Sequence, residues 1–181
     1  MPTDRPAPAP DLLARAARIR LACFDVDGTL TDGRLYLSDD GRETKAFHVH
    51  DGLGISLLRR AGIAVAFVTA RHSPATEARA RDLGVEAHTG VGDKRACVDA
   101  LRRRLGLAAD EVAFMGDDLT DLEVLAAAGL AAAPADAQPA ILGHVHWQAT
   151  ARGGEGAARQ FCELLLAARG QAAGDASGAR Q

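Results

Sequence analysis

The sequence predicts an α/β fold: a doubly wound (Rossmann-like) parallel sheet with a β-hairpin insertion after the first strand and no large cap domain. Short apolar runs of strand length alternate along the chain with segments of helical pattern, an alternation typical of right-handed β-α-β crossovers. With 181 residues, the chain has room for one well-cored domain and too few residues for a large second one.

The first third of the chain predicts one strand, a hairpin and two helices. Residues 1–10 contain four prolines, which favour a disordered leader over a helix or a ladder. The turn between the hairpin strands is Ser38-Asp39-Asp40-Gly41. The elements expected here are a helix over 11–17, a strand over 19–24, hairpin strands over 34–37 and 44–49, and a helix over 53–61 that Gly62 ends.

The remainder of the chain repeats the strand and helix alternation. Its expected strands cover 63–68, 85–88, 112–115, 130–133 and 144–148, and its expected helices cover 74–83, 94–105, 121–128 and 138–142. A Gly-rich turn over 152–156 precedes a last helix that reaches residue 168. We expect one domain over 11–170 and a flexible tail over 171–181.

Composition excludes several classes of protein. The net charge of −3 and the 4% aromatic content predict no nucleic-acid partner. Met1 to Pro10 lacks the apolar core of a signal peptide, and no stretch is long enough to span a bilayer, so we expect a cytoplasmic protein with no membrane partner. The three cysteines Cys23, Cys97 and Cys162 lie far apart, which indicates neither a disulfide framework nor a zinc site.

Polar side chains follow several of the predicted strands. They are Asp25 and Asp27 after the first strand, Thr69 after 63–68, Lys94 at a helix start, and Asp117 and Asp118 after 112–115. Ligands of parallel α/β sheets bind at this edge. Carboxylates alone would repel a phosphate, whereas Mg²⁺ takes carboxylate ligands and bridges to phosphate oxygens. The constellation predicts an Mg²⁺ and phosphate site, with Thr69 and Lys94 holding phosphate oxygens.

Two aspartates two residues apart suit phosphate ester hydrolysis. One carboxylate can attack phosphorus to form an acyl phosphate, and the other can protonate the leaving oxygen and later activate water. The spacing alone does not decide which of Asp25 and Asp27 attacks. A calcium loop starting at Asp25 would require a Glu at its twelfth position, where this chain has Tyr36, so that alternative fails.

Other candidates keep a structural alternative. Thr69 is also consistent with a cap, Lys94 with a solvated charge, and Asp121 with the cap of the following helix. His48 and His50 lie two apart on a predicted strand and could form a metal pair, but no third ligand accompanies them. The N–H groups of Gly153, Gly154 and Gly156 could receive an anion at a helix start or form a plain loop.

The motifs DVDGTL at 25–30, Thr69, Lys94 and GDDLTD at 116–121 resemble, in order and spacing, the four motifs of the haloacid dehalogenase superfamily. This resemblance implies that Asp25 is the nucleophile and that Asp27 is the general acid/base and lends a backbone carbonyl to Mg²⁺. It further implies that Thr69 and Lys94 bind phosphate. Asp117 would be a metal ligand with Asp25 and Asp27, and Asp118 and Asp121 would support the metal site.

The resemblance extends to the small capless branch of that superfamily through the segments 25–33, 47–55 (FHVHDGLGI), 69–74 (TARHSP) and 153–159 (GGEGAAR). It implies 3-deoxy-D-manno-octulosonate 8-phosphate as substrate, in lipopolysaccharide synthesis, and a homotetramer assembled through the hairpins. The implied substrate-side residues are His48, His50, Asp51, Gly52, Arg71 and Arg79. Relatives often carry basic residues where this chain has His50 and Ser56, so this chain has fewer cationic side chains on the implied substrate side.

Two alternatives stay open. One is a nine-carbon, sialic-acid-type phosphatase or a broad sugar phosphatase, which shares the implied chemistry. The other is a phospho-ligand-binding oligomeric scaffold without turnover, against which the presence of both Asp25 and Asp27 argues.

Overall fold

The structure is a computed structural model that describes residues 8–170. Most of the predicted leader, residues 1–7, and the predicted tail, 171–181, lie outside the described residues. The helix expected at residue 11 begins at Pro10, inside the segment assigned to the leader.

Six parallel strands form one sheet in the order β5-β4-β1-β6-β7-β8. This order confirms the predicted doubly wound sheet, because the chain moves outward from β1 first to one side and then to the other. The strands are β1 Leu21–Phe24, β4 Ala64–Val68, β5 Glu86–His88, β6 Val112–Met115, β7 Leu130–Ala133 and β8 Trp147–Gln148. The two remaining strands, β2 Tyr36–Leu37 and β3 Glu43–Thr44, pair antiparallel as the predicted hairpin.

Between residues 8 and 170, six α-helices cover the two faces of the sheet. They are α1 Pro10–Arg18, α2 Val49–Arg60, α3 Pro74–Leu83, α4 Lys94–Arg104, α5 Leu122–Ala127 and α6 Ala157–Ala168. Alternate residues of β1 point to opposite faces, so Ala22 and Phe24 pack with α1, α2, α3 and α6, while Leu21 and Cys23 pack with α4 and α5. Both faces of the sheet are buried, as its continuous apolar strands predict.

Local signals explain the best-predicted boundaries. The Ser73 side chain accepts a hydrogen bond from the Thr76 N–H at the start of α3, and Pro74 occupies the first helical position. Gly84 ends α3 in the left-handed conformation, with φ of +63°. Asp93 caps α4 in the same manner as Ser73 caps α3, which fixes the position of Lys94.

The structure corrects the prediction that His48 and His50 lie on a strand. The His48 side chain accepts a hydrogen bond from the His50 N–H, and α2 begins between them at Val49. The hairpin strands are therefore two residues each, and residues 45–48 connect β3 to α2 without forming a strand. The segment 139–144 forms a 3-10 helix where we expected an α-helix over 138–142, and a 3-10 helix over 119–121 precedes α5.

The chain carries no large cap between 8 and 170, where the hairpin is the insertion that follows β1. Within that range no helix combines the length and apolar character needed to cross a bilayer.

Candidate active site

Three neighbouring strands deliver the predicted site residues to one edge of the sheet. Asp25 directly follows β1, Thr69 follows β4 and Asp117 follows β6 by two residues, and these strands lie side by side in the order β4-β1-β6. The Asp25 N–H donates to the Met115 carbonyl at 2.9 Å, which continues the β1 and β6 pairing up to Asp25. The sheet therefore brings together residues that are far apart in sequence.

Three carboxylates form a cluster at this edge. One oxygen from each of Asp25, Asp117 and Asp121 lies within 4.8 Å of the other two. Oxygens on opposite sides of one Mg²⁺ are about 4.2 Å apart, so the spacing suits a single small divalent ion. The donor set, all oxygen and negatively charged, is the kind that hard cations require. The proximity of Asp25 and Asp117 is the condition on which a shared metal ion depends.

Lys94 links two members of this cluster. Its ammonium lies 2.7 Å from Asp25 Oδ1 and 2.5 Å from Asp121 Oδ1. The Lys94 and Asp121 side chains are almost fully buried, so these ion pairs are shielded from solvent, unlike pairs on the surface. An ammonium has three donors, so one N–H of Lys94 stays available for a phosphate oxygen after these two contacts.

Asp121 organises the loop that carries Asp117. Its second oxygen accepts the backbone N–H groups of Asp117 at 3.0 Å and Asp118 at 3.4 Å. Its side chain makes no cap to α5, so the helix-cap alternative is wrong. Asp118 instead bonds the N–H of Leu119 in its own loop. The supporting role of Asp118 and Asp121 at a metal site, which the family resemblance implies, stays a prediction.

The electrostatics of the cluster follow from burial. Burial raises the pKa of Asp25 well above its usual range, and the charge of Asp121 adds to this while Lys94 opposes it. Burial and the Asp121 charge also raise the pKa of Asp117, to about 6. Burial acts to lower the pKa of Lys94, but its two carboxylate partners outweigh burial and raise it. Three carboxylates share one ammonium in this cluster, and a divalent cation would offset the repulsion between them.

The loop after β1 depends on glycine. Gly28 has φ of +87°, and a β-carbon there would overlap the Asp117 carboxylate. The Gly-rich turn before α6 packs on the same loop, because the Gly154 N–H donates to the Thr29 carbonyl at 3.1 Å and a β-carbon on Gly153 would overlap the Gly28 carbonyl. The Gly153 N–H donates to Asp136. Two of the N–H groups proposed for an external anion therefore have partners within the chain.

Asp27 belongs to a second charged cluster, formed with the hairpin. Lys45 Nζ contacts Asp27 Oδ1 and lies 3.2 Å from Glu43 Oε1, while Arg71 bonds Glu43 at 2.5 Å and lies 3.7 Å from Asp27 Oδ2. Sequence reasoning missed Lys45 and Glu43, whose roles come from the way the hairpin folds back over the β1 loop.

Comparison with known proteins decides the family. Residues 52–129 match the model of haloacid dehalogenase-like hydrolases. The 3-deoxy-D-manno-octulosonate 8-phosphate phosphatase KdsC of Yersinia pestis is 42% identical to this chain over 162 residues, which cover 89% of the chain and 87% of the relative. This chain belongs to the haloacid dehalogenase-like hydrolases.

Solved structures agree with this assignment. A hypothetical protein from Xanthomonas campestris is 57% identical with a TM-score of 0.89, over 92% of this chain and 91% of that one. The 3-deoxy-D-manno-octulosonate 8-phosphate phosphatase of Moraxella catarrhalis, solved in complex with a magnesium ion, a phosphate ion and a KDO molecule, is 36% identical. Its TM-score is 0.86, over 88% of this chain and 92% of that one.

The residues that the family resemblance assigns to the substrate side divide into two groups. Arg71 lies beside Asp27, and its backbone N–H donates to the Thr69 hydroxyl at 3.3 Å. Arg79 instead bonds Asp82 at 2.7 Å and lies over the Phe47 ring, with its guanidinium against Gly52. The two arginines therefore occupy different clusters and do not share one helix face, because Arg71 precedes α3.

Asp51 has a structural partner of its own in this hydrolase fold. It is 2% exposed, and its Oδ1 accepts the Arg159 N–H in the first turn of α6 at 2.7 Å. Burial raises the pKa of Asp51, and the Arg159 N–H opposes this. His48 and His50 stack edge to face at the start of the same helix, with His50 exposed. A substrate contact by these residues remains a prediction.

Proposed function

We propose that this chain is an Mg²⁺-dependent phosphatase that hydrolyses 3-deoxy-D-manno-octulosonate 8-phosphate through an aspartyl phosphate on Asp25. The observation that carries the proposal is the convergence of Asp25, Asp117 and Asp121 around one point, with Lys94 beside them. Mg²⁺ held by Asp25, Asp117 and the Asp27 carbonyl would supply positive charge to the phosphate oxygens. The names of the relatives support the substrate.

The residues divide the chemistry between them. Asp25 attacks phosphorus while the bond from phosphorus to the sugar oxygen breaks, and Asp27 gives its proton to that leaving oxygen. Asp27 then removes a proton from water, whose oxygen attacks the acyl phosphate and releases inorganic phosphate and the free Asp25 carboxylate. Lys94 and the Thr69 hydroxyl hold phosphate oxygens during both steps. The sum is hydrolysis of the ester by one water, after which Asp25 and Asp27 are back in their starting states.

The charge near Asp27 supports a sugar acid as substrate. The Arg71 side chain is 45% exposed beside the proposed acid/base, where a leaving sugar that carries a carboxylate would meet a guanidinium. Ser56 is uncharged, and its hydroxyl donates to the Gly52 carbonyl within α2. Arg71 lies 3.7 Å from the proposed acid/base, whereas the partners of Arg79 belong to a separate cluster, which supports Arg71 as the substrate-side cation.

The same proposal includes a cytoplasmic homotetramer. The hairpin exposes Leu35, Tyr36 and Leu37 at 52%, 42% and 63%, and β2 and β3 pair with each other alone in the described part of the chain. Exposed apolar side chains concentrated on one element indicate a protein contact. Three free cysteines suit a reducing compartment.

The test is phosphate release by the purified chain with Mg²⁺ from a panel of esters. The panel contains 3-deoxy-D-manno-octulosonate 8-phosphate, a nine-carbon sugar-acid 9-phosphate and glucose 6-phosphate. We expect the highest kcat/KM on the eight-carbon acid and no turnover by Asp25→Asn, with Asp39→Asn, in the exposed hairpin turn, as the matched control. Equal kcat/KM across the panel would exclude the narrow substrate, and phosphate binding without turnover would favour a scaffold.

A further inference from the structure

The chain uses lysine in only two places. Of its 21 lysines and arginines, only Lys45 and Lys94 are lysines. Both are buried, with side chains 1% and 4% exposed, whereas lysine is almost never fully buried unless it is paired. Lys94 contacts Asp25 and Lys45 contacts Asp27. Each lysine of this sequence therefore pairs with one of the two aspartates of the proposed reaction.

Lys45 is held in place by a network around the hairpin. Glu43 Oε1 accepts from Lys45 at 3.2 Å and from the Ser73 hydroxyl at 3.1 Å, and Glu43 Oε2 accepts from Arg71. Lys45, Arg71, Glu43 and Asp27 contribute two positive and two negative charges, so the cluster is close to neutral. Glu43 thereby offsets the charge that Lys45 brings to Asp27.

The two carboxylate oxygens of Asp27 have different surroundings. Oδ1 contacts Lys45, whereas Oδ2 is buried without a hydrogen-bond partner among the described residues, and Arg71 Nε lies 3.7 Å from it. A buried carboxylate oxygen without a partner costs free energy, which indicates a position for an atom that arrives with the substrate. The contact with Lys45 fixes which oxygen stays available.

We propose that Lys45 is a positioning residue for Asp27 and holds this carboxylate so that Oδ2 exchanges the proton with the leaving oxygen. The inference rests on the proposed function, in which Asp27 is the general acid/base. The proton moves from Oδ2 to the sugar oxygen as the bond to phosphorus breaks, and Oδ2 takes it back from water in the second step. A compact ammonium suits this narrow buried slot better than a planar guanidinium does.

The readout that separates positioning from a structural role is the dependence on the leaving group. An alkyl leaving oxygen must be protonated as it departs, whereas 4-nitrophenolate leaves without a proton. The ratio kcat/KM reports the steps up to formation of the aspartyl phosphate, so the later hydrolysis, common to all esters, does not enter. The esters are 3-deoxy-D-manno-octulosonate 8-phosphate and 4-nitrophenyl phosphate.

We expect Lys45→Met to lower kcat/KM on the sugar phosphate by about 100-fold, since general acid catalysis contributes at least about 100-fold to a rate. On 4-nitrophenyl phosphate, whose leaving group needs no proton, we expect a loss of less than about 5-fold. Glu43→Gln, which disturbs the network without removing the partner of Asp27, should act in the same direction with a smaller factor. Arg42→Met is the matched control, because Arg42 is an exposed hairpin cation that pairs with Asp40 outside this network.

Equal losses on the two esters, or no loss on either, would overturn the role of Lys45 while leaving the proposed function intact. A crystal structure of Lys45→Met in which Asp27 keeps its orientation would also overturn it. A wild-type chain that turns over neither ester would remove the proposed function and this inference together.

Discussion

The Asp51 carboxylate, on α2, accepts the N–H of Arg159 in the first turn of α6, 108 residues away in sequence. The α6 N-cap residue is Gly156, which has no side chain to satisfy this donor. A buried carboxylate from one helix therefore caps another, and α2 is fixed to the Gly-rich turn that packs on the Gly28 loop.

Removing the cap should mainly affect stability. Asp51→Ala leaves a buried N–H without a partner, and we expect a loss of about 2 kcal/mol in the free energy of unfolding. Asp51→Asn retains an acceptor oxygen and should lose less. Chemical denaturation measures both, with the exposed Asp39→Ala as control. A raised KM in Asp51→Asn with unchanged stability would instead support the substrate contact implied by the family resemblance.

The same pair of variants carries a pH signature. Because the pKa of Asp51 is raised in the folded chain, the folded state binds this proton more tightly than the unfolded state, and stability falls as pH rises through the folded pKa. Asp51→Asn has no such loss. The Tm of Asp51→Asn relative to the Tm of wild type should therefore increase as pH rises. A Tm difference that does not change with pH would contradict burial as the cause of the raised pKa.

A β-carbon at Gly28 should slow catalysis for a geometric reason. Gly28→Ala forces the Asp117 carboxylate away, and misplacing a reacting group by about 1 Å costs roughly 100-fold in rate. Gly41→Ala is the matched control, since Gly41 has φ of +80° but no atom within 4 Å of its β-carbon position. It should cost about 1 kcal/mol of stability and no activity. Equal activity of the two variants would contradict the role of Gly28.

The carboxylate cluster should make the metal-free protein less stable as pH rises. The pKa of Asp117 increases from 3.8 to about 6 on folding, so the folded chain binds more protons between these values. That shift corresponds to about 3 kcal/mol at neutral pH. Tm measured in EDTA should fall over this range, and Mg²⁺ should raise the Tm at pH 7.

The control for this prediction is Asp117→Asn, whose Tm in EDTA should fall less. A comparison of variants is needed because carboxylates with a lowered pKa, such as Glu43, contribute in the opposite direction. A Tm at pH 7 that does not respond to Mg²⁺ would contradict metal binding at this cluster.

The hairpin surface should control assembly. Leu37→Glu places a charge on a 63% exposed apolar position, and we expect a smaller species than the proposed wild-type tetramer in analytical ultracentrifugation. Leu105→Glu is the control, because Leu105 is 42% exposed at the end of α4, away from the hairpin in sequence. A monomeric wild type, or a tetramer that survives Leu37→Glu, would contradict assembly through the hairpin.

Local patterns predicted those elements whose signals are contained in a few residues. The strands 112–115 and 130–133 and the helix 74–83 have the predicted boundaries, because apolar runs, Ser73 and Gly84 define them locally. The placement of His48 and His50 on a strand was wrong, since alternating residues after Thr44 resemble a strand while a capping side chain starts a helix.

The residues of the candidate site could be predicted only where the order of the sequence motifs identified them. Asp25, Asp117 and Lys94 converge because strand ends of a parallel sheet share one edge, and that rule is readable from sequence. The partners of Asp27 and Asp51 could not be found in this way. Lys45 reaches Asp27 through the path of the hairpin, and Asp51 meets Arg159 through helix packing, so neither contact has a local pattern.

The burial of both lysines makes the folded chain a poor substrate for amine-directed reagents at its side chains, although arginine keeps its surface well charged. An acylating label that appears on Lys45 or Lys94 would then report opening of the loops that hold Asp27 and Asp25, and the rate of labelling would measure how often that opening occurs.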